Sequence, residues 1–163
     1  MTSIRPAQES DLEQLAHIWL NGWRDAHLAI VPAALARLRT LENFRDRLNA
    51  ALPAVRVAVL DGAPAGFVML KPGEVYQFYV AAEARGSGLA ATLMADAEAQ
   101  LFEQGNSVAW LSCAIRNDRA ARFYEKCGWR RVGTMIDHAE TSEGPFALET
   151  WRYEKTLRSP SQR

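Results

Sequence analysis

The run Arg85-Gly86-Ser87-Gly88-Leu89-Ala90 has the residue types of an anion cradle. Its glycines would let a bulky diphosphate approach main-chain amides, and Arg85 adds a local positive charge. Leu89, Leu93, Ala97 and Leu101 recur at helical spacing, which predicts a helix over 87–102 opening directly on the loop. The first turn of such a helix offers unpaired N–H groups and the positive end of its dipole. Two other phosphate loops fail. Gly-Lys-Ser/Thr is missing, against a P-loop, and Ala91 stands where a dinucleotide fingerprint needs its third glycine. Taken alone, the loop reads equally well as a tight turn.

The elements that must position this loop follow from periodicity. Residues 2–5 predict a first strand, stopped by Pro6. Ser10-Asp11-Leu12-Glu13 has the capping-box pattern and opens an amphipathic helix carrying Leu12, Leu15, Ile18, Trp19 and Trp23. Asn21-Gly22 marks a kink or an end in it. Pro32 starts a second helical region, which Thr40 caps for a continuation through Leu52. Val55, Val57 and Val59 alternate with Arg56 and Ala58 as a strand, and Asp61-Gly62 turns it into a hairpin partner over 65–70. Residues 74–80 read as a central strand, 108–114 as a buried one, and 118–126 as a short helix with Gly128 at its C-cap. Residues 129–137 and 146–157 read as a closing antiparallel pair. Short turns imply antiparallel pairing in the first half, and the strand-helix-strand passage over 74–114 implies a parallel crossover. The expected class is α/β, a mixed and mostly antiparallel sheet of about seven strands with flanking helices. One domain over 1–157 and a polar C-terminal tail over 158–163 account for the chain.

A second segment gives the loop company. Asn117, Ala120, Phe123, Tyr124, Gly128 and Trp129 fit the pattern Asn-x-x-Ala-x-x-Phe-Tyr-x-x-x-Gly-Phe/Trp. With Arg85 to Ala90, which fits Arg/Gln-x-x-Gly-x-Gly/Ala after a fourth strand, the pair resembles the signature of the Gcn5-related N-acetyltransferase (GNAT) superfamily. The element order fits from Ile4 to Leu157. The resemblance implies a sheet splayed between strands 4 and 5, acetyl-CoA as acetyl donor without a metal, and direct transfer to a primary amine of a small molecule or peptide. The amides of Ser87, Gly88, Leu89 and Ala90 would bind the CoA pyrophosphate, with Arg85 and Gly86 shaping the loop. The main chain at Phe78 and Val80 would hold the pantetheine arm like an added strand.

The same resemblance gives Asn117 a polar contact to that arm, beside an N-cap role that can coexist with it. Tyr124 matches the family's tyrosine near the thioester sulfur, where a phenol can protonate the departing thiolate. Outside the motif it would read as a packed aromatic. Direct transfer also needs a polarised carbonyl, for which a backbone N–H near Val80 serves, and a base, because alkyl amines are charged at neutral pH. Glu74 is the leading candidate: its spacing from Val80 matches the catalytic glutamate of the family's histone acetyltransferases, and strand alternation sets it with Tyr76 and Phe78. Pro72-Gly73 makes it equally a solvated turn residue, and a water chain is a further alternative. In the family the first helices and last hairpin enclose the acceptor, which here offers Trp19, Trp23, Arg24, His27, Tyr76, Glu149 and Trp151. Aromatic and acidic residues would suit a cationic amine.

Composition narrows the partners. The 163 residues are 48% apolar and 23% charged, ordinary values for a soluble domain. Nineteen basic against 19 acidic side chains leave no overall field for nucleic acid or an anionic membrane. Cys113 and Cys127 are too few for a disulfide or zinc scaffold and read as buried reduced thiols. The N-terminus lacks a signal-peptide apolar region and no apolar run is long enough to span a bilayer, so the default expectation is a cytoplasmic protein. Dimers are frequent in the family, which leaves a homodimer open. The alternative to an enzyme is a non-catalytic acyl-CoA-binding module; the intact Tyr124 and the complete first motif favour the enzyme.

Overall fold

The computed structural model describes residues 1–159 and Ser161. The expected tail over 158–163 therefore falls in part, at 160, 162 and 163, outside the described residues. In chain order the elements are β1 (Thr2–Pro6), α1 (Leu12–His27), α2 (Ala33–Ala36), α3 (Leu41–Ala50), β2 (Val55–Leu60), β3 (Ala63–Lys71) and β4 (Glu74–Val80). Then come α4 (Leu89–Glu103), β5 (Val108–Ala114), α5 (Asp118–Lys126), β6 (Arg130–Ala139) and β7 (Phe146–Thr156).

Seven strands make one sheet in the order β1-β2-β3-β4-β5-β7-β6, antiparallel except for β4 against β5. The expected mixed α/β class is what forms. Asp61 and Gly62 both take positive φ at the β2–β3 turn, as a tight hairpin of right-twisted strands requires. The parallel pair meets only at Glu74 and Trp110, beside a Trp110 N–H bond to the Gly73 carbonyl at 3.0 Å. From there β4 and β5 diverge, and among the described residues no strand pairs with the β5-facing edge of β4 toward Val80. A core forms on each face. Leu89, Leu93, Met94, Ala97 and Leu101 of α4 bury against Val68, Val75, Ala109 and Leu111. Leu15 and Trp19 of α1, with Phe44 and Leu48 of α3, bury against Val57, Phe67 and Met69. Each such leucine, methionine, valine or phenylalanine contributes roughly 1.5–3 kcal/mol, so the helices are held by packing rather than propensity.

Three local expectations are corrected. Ser10 does not cap α1. A 3-10 turn over Glu9–Asp11 precedes the helix, and the Asp11 carboxylate accepts from the Gln8 N–H at 2.8 Å and from Arg5 at 2.8 and 3.0 Å. Asp11 is buried, and a buried carboxylate must be paired, so it and not the hydroxyl organises the turn. The Arg5 hydrogen bond holds its carboxyl below the usual range despite burial. Next, α1 continues unbroken through Asn21-Gly22; glycine is required there because a Cβ would lie 2.6 Å from the Tyr79 ring.

The third correction concerns strand faces. Met69 faces Gln77 while Leu70 faces Val75, so Tyr76 is the extra residue of a β-bulge. Strict alternation puts Glu74, Tyr76 and Phe78 together; the bulge separates them. Tyr76 joins the α1/α3 face, and Phe78 stacks on Phe123 at 5.5 Å on the other. Two other local readings hold: Thr40 Oγ1 accepts the Asn43 N–H at 3.1 Å, and Gly128 ends α5 at positive φ.

Candidate active site

A cavity of about 680 Å³ opens where β4 and β5 part. Arg85, Gly86, Gly88 and Ala90 line one end, and Phe78, Val80, Asn117 and Tyr124 line the middle. Trp23, His27, Arg39, Arg47, Glu74 and Tyr76 line the other end. Apart from Ser87 and Leu89, the residues expected at the donor site and at the base are thus gathered around one space.

At the loop end Gly88 takes φ +84, a left-handed conformation that side chains resist, and no atom lies within 4 Å of an added Cβ. Thr92 is the first residue to donate back into the helix, to the Gly88 carbonyl at 3.2 Å. The Gly88 and Ala90 amides have no acceptor among the described residues, which is the condition of a helix start open to an anion. Ser87 and Leu89 act differently. Ser87 N–H donates to the Ala84 carbonyl at 3.2 Å, and Ser87 Oγ donates to that carbonyl and accepts the Leu89 N–H at 3.3 Å. Those two residues hold the loop's shape, and the Leu89 side chain is buried in the core. Arg85 reaches Asp25 of α1 at 3.4 Å.

In the middle, Asn117 lines the cavity, and its Oδ1 accepts the Ala120 N–H at 3.4 Å, capping α5. The Tyr124 ring packs between Phe123 and Tyr153, with centroids at 5.8 and 5.9 Å. Burial pushes its hydroxyl well above 10, so it stays protonated at neutral pH as a donor. Cys113 also lines the cavity, and burial pushes its thiol up to about 12. A thiol there is neutral and a poor nucleophile.

At the far end Glu74 is only 7% exposed, so it is no solvated turn residue. Burial raises its carboxyl to about 7, against the opposing pull of Lys71. Burial likewise lowers His27 to about 4, leaving a neutral imidazole. Of the expected acceptor residues, Trp19, Trp23, His27 and Tyr76 line the cavity. Arg24 and Glu149 are exposed elsewhere, and Trp151 lies under the Arg131 guanidinium at 3.7 Å, outside it. Sequence reasoning missed Arg39 and Arg47. Arg39 gives no signal, being a charge just before a helix cap. Arg47 gives one: it follows Phe44 by one helical turn and so falls on the buried stripe of α3.

The mixed sheet, the parting of β4 from β5 and the glycine loop opening α4 define a GNAT fold. Residues 12–129 match the Acetyltransferase (GNAT) family, and the chain belongs to that family. It is similar to an uncharacterized N-acetyltransferase of Archaeoglobus fulgidus, 31% identical over 140 residues that span 78% of this chain and 92% of the relative. Its fold is similar to that of a GCN5-related N-acetyltransferase from Rhodopseudomonas palustris, with TM-score 0.74 and 21% identity over 96% of both chains. It is similar also to the PaiA N-acetyltransferase of Thermoplasma acidophilum in complex with coenzyme A, with TM-score 0.66 and 19% identity over 96% of this chain and 99% of that one. Among the described residues no helix is long and apolar enough to cross a membrane.

Proposed function

We propose that the protein transfers an acetyl group from acetyl-CoA to a primary amine by direct attack within one ternary complex. The observation that carries this reading is the single cavity lined by Gly88, Tyr124 and Glu74. The Gly88 and Ala90 amides bind the pyrophosphate, with the α4 dipole adding to the attraction. The pantetheine arm lies along the open edge of β4 at Phe78 and Val80, and Asn117 contacts it. Glu74, ionising near neutrality, takes a proton from the incoming ammonium, directly or through water. The free amine attacks the thioester carbonyl carbon while a β4 main-chain N–H near Val80 stabilises the oxygen. The C–N bond forms, the C–S bond breaks, Tyr124 gives its proton to the sulfur, and the second proton shed by the new amide nitrogen returns to the Tyr124 phenolate through solvent. The neutral Cys113 thiol speaks against an acyl-enzyme route.

The names of the relatives and the coenzyme A bound to a structural neighbour support the donor. The test is acetyl-CoA turnover over a panel of small and peptide amines. Amine-dependent thiol release is expected. Tight CoA binding with no turnover on any amine would favour the non-catalytic acyl-CoA-binding module.

A further inference from the structure

Resting on that reading of the cavity, we propose that Arg39 and Arg47 form an anion subsite, so that the acceptor is a primary amine also bearing a carboxylate. Both arginines line the far end of the cavity. Arg39 is 7% exposed; its Nη1 donates to Asn43 Oδ1 at 3.2 Å and to the Glu140 carbonyl, and its Nε is buried without a partner among the described residues. Arg47 stacks on the Trp19 ring at 4.5 Å and donates from Nη2 to the Tyr76 hydroxyl at 2.9 Å; its Nε too is buried and unpartnered.

The charges around them do not balance. Lys71 of β3 is a third cation, and its Nζ already holds Glu140 Oε1 at 3.0 Å. Glu140, which follows β6, is 3.8 Å from Arg47 through its other oxygen. Glu74 on β4 is buried and only partly ionised at neutral pH, and Asp137 of β6 faces Ser112 at 3.4 Å. Three cations thus rely chiefly on one carboxylate, and burial together with the charge of Arg47 lowers Arg39 to about 10. Buried guanidiniums are costly unless paired. A ligand carboxylate fits the flat donor fork and would supply the missing charge. The two guanidiniums would repel the second ammonium of a polyamine, whereas the aromatic and acidic residues read from the sequence would suit a cationic amine.

The test compares four matched acceptors: 4-aminobutyrate, butylamine, putrescine and 3-aminopropylphosphonate. For the wild type, kcat/KM should favour 4-aminobutyrate by roughly tenfold or more. Arg39→Gln with Arg47→Gln should erase that preference through KM, while Arg47→Lys retains part of it. Preference for butylamine or putrescine, or an equal loss on every amine in the double variant, would overturn the subsite. Preference for the phosphonate would overturn the carboxylate assignment. Binding is read separately by Trp19 and Trp23 fluorescence on the CoA-loaded protein. Carboxylate binding that needs both arginines, with no turnover on any amine, would sink the transfer reading and uphold the subsite. Turnover of butylamine without carboxylate binding would do the reverse.

Discussion

The two ends of the cavity are built by different means. On the proposed reading, the groups that serve the donor end are main chain: the Gly88 and Ala90 amides and the open edge of β4. Their positions are set by one neighbouring element, because the buried stripe of α4 pins the helix that starts there. At the end proposed for the acceptor, the groups are side chains. Trp19, Arg47, Tyr76 and Glu74 arrive from α1, α3 and β4, and Arg39 from the link before α3. A backbone site can keep one ligand while the rest of the chain varies. A side-chain site changes its ligand with a few substitutions.

This contrast can be broken most sharply at the loop. Gly88→Glu puts negative charge on the cradle and should weaken CoA binding by about a hundredfold or more. The added Cβ meets open space, so only the strain of positive φ, about 1–2 kcal/mol, falls on folding. Unchanged affinity by calorimetry would remove the phosphate assignment.

The next largest effect is expected at Glu74. Glu74→Gln should lower kcat/KM at pH 8 by about a hundredfold and abolish the inflection near 7, leaving a rate that climbs only with the amine's own ionisation. A pH profile superimposable on wild type would take Glu74 out of the mechanism. Stability should move the other way. The folded carboxyl titrates above its ordinary 4.5, so the wild type loses stability as pH rises from about 4.5 to 7. The variant should then melt higher at pH 8, by on the order of 2 kcal/mol, with the gain vanishing below pH 4.5. The smallest effect separates the two ends. Thr40→Ala removes the cap of α3 and should cost about 1 kcal/mol in thermal unfolding while leaving CoA affinity untouched. Weaker CoA binding in that variant would mean the ends are coupled.

The same division explains what was legible in the sequence. The hairpin at Asp61-Gly62, the α4 stripe and the Gly128 cap are local signals, and the elements they mark form as read. The loop and the segment from Asn117 to Trp129 are local too. Strand parity in β4 was not legible, because a bulge is a relation between two strands and Tyr76 carries no mark of being the extra residue. The Asp11 turn was missed because its partner Arg5 sits in the preceding strand. Arg39 reads as a surface charge until packing places it over Phe44, and the buried-stripe position of Arg47 does not reveal that it meets Trp19 and Tyr76. Burial of Glu74 was equally invisible, since Pro72-Gly73 is the usual context of an exposed turn.

The central claim is that one cavity both holds acetyl-CoA and carries out the transfer, with Tyr124 as the proton donor to sulfur. Measuring CoA affinity and turnover side by side in Tyr124→Phe tests it most directly. The account predicts a dissociation constant within about twofold of wild type and a kcat lower by about a hundredfold or more. Full turnover in the variant, or a loss confined to CoA binding, would contradict it.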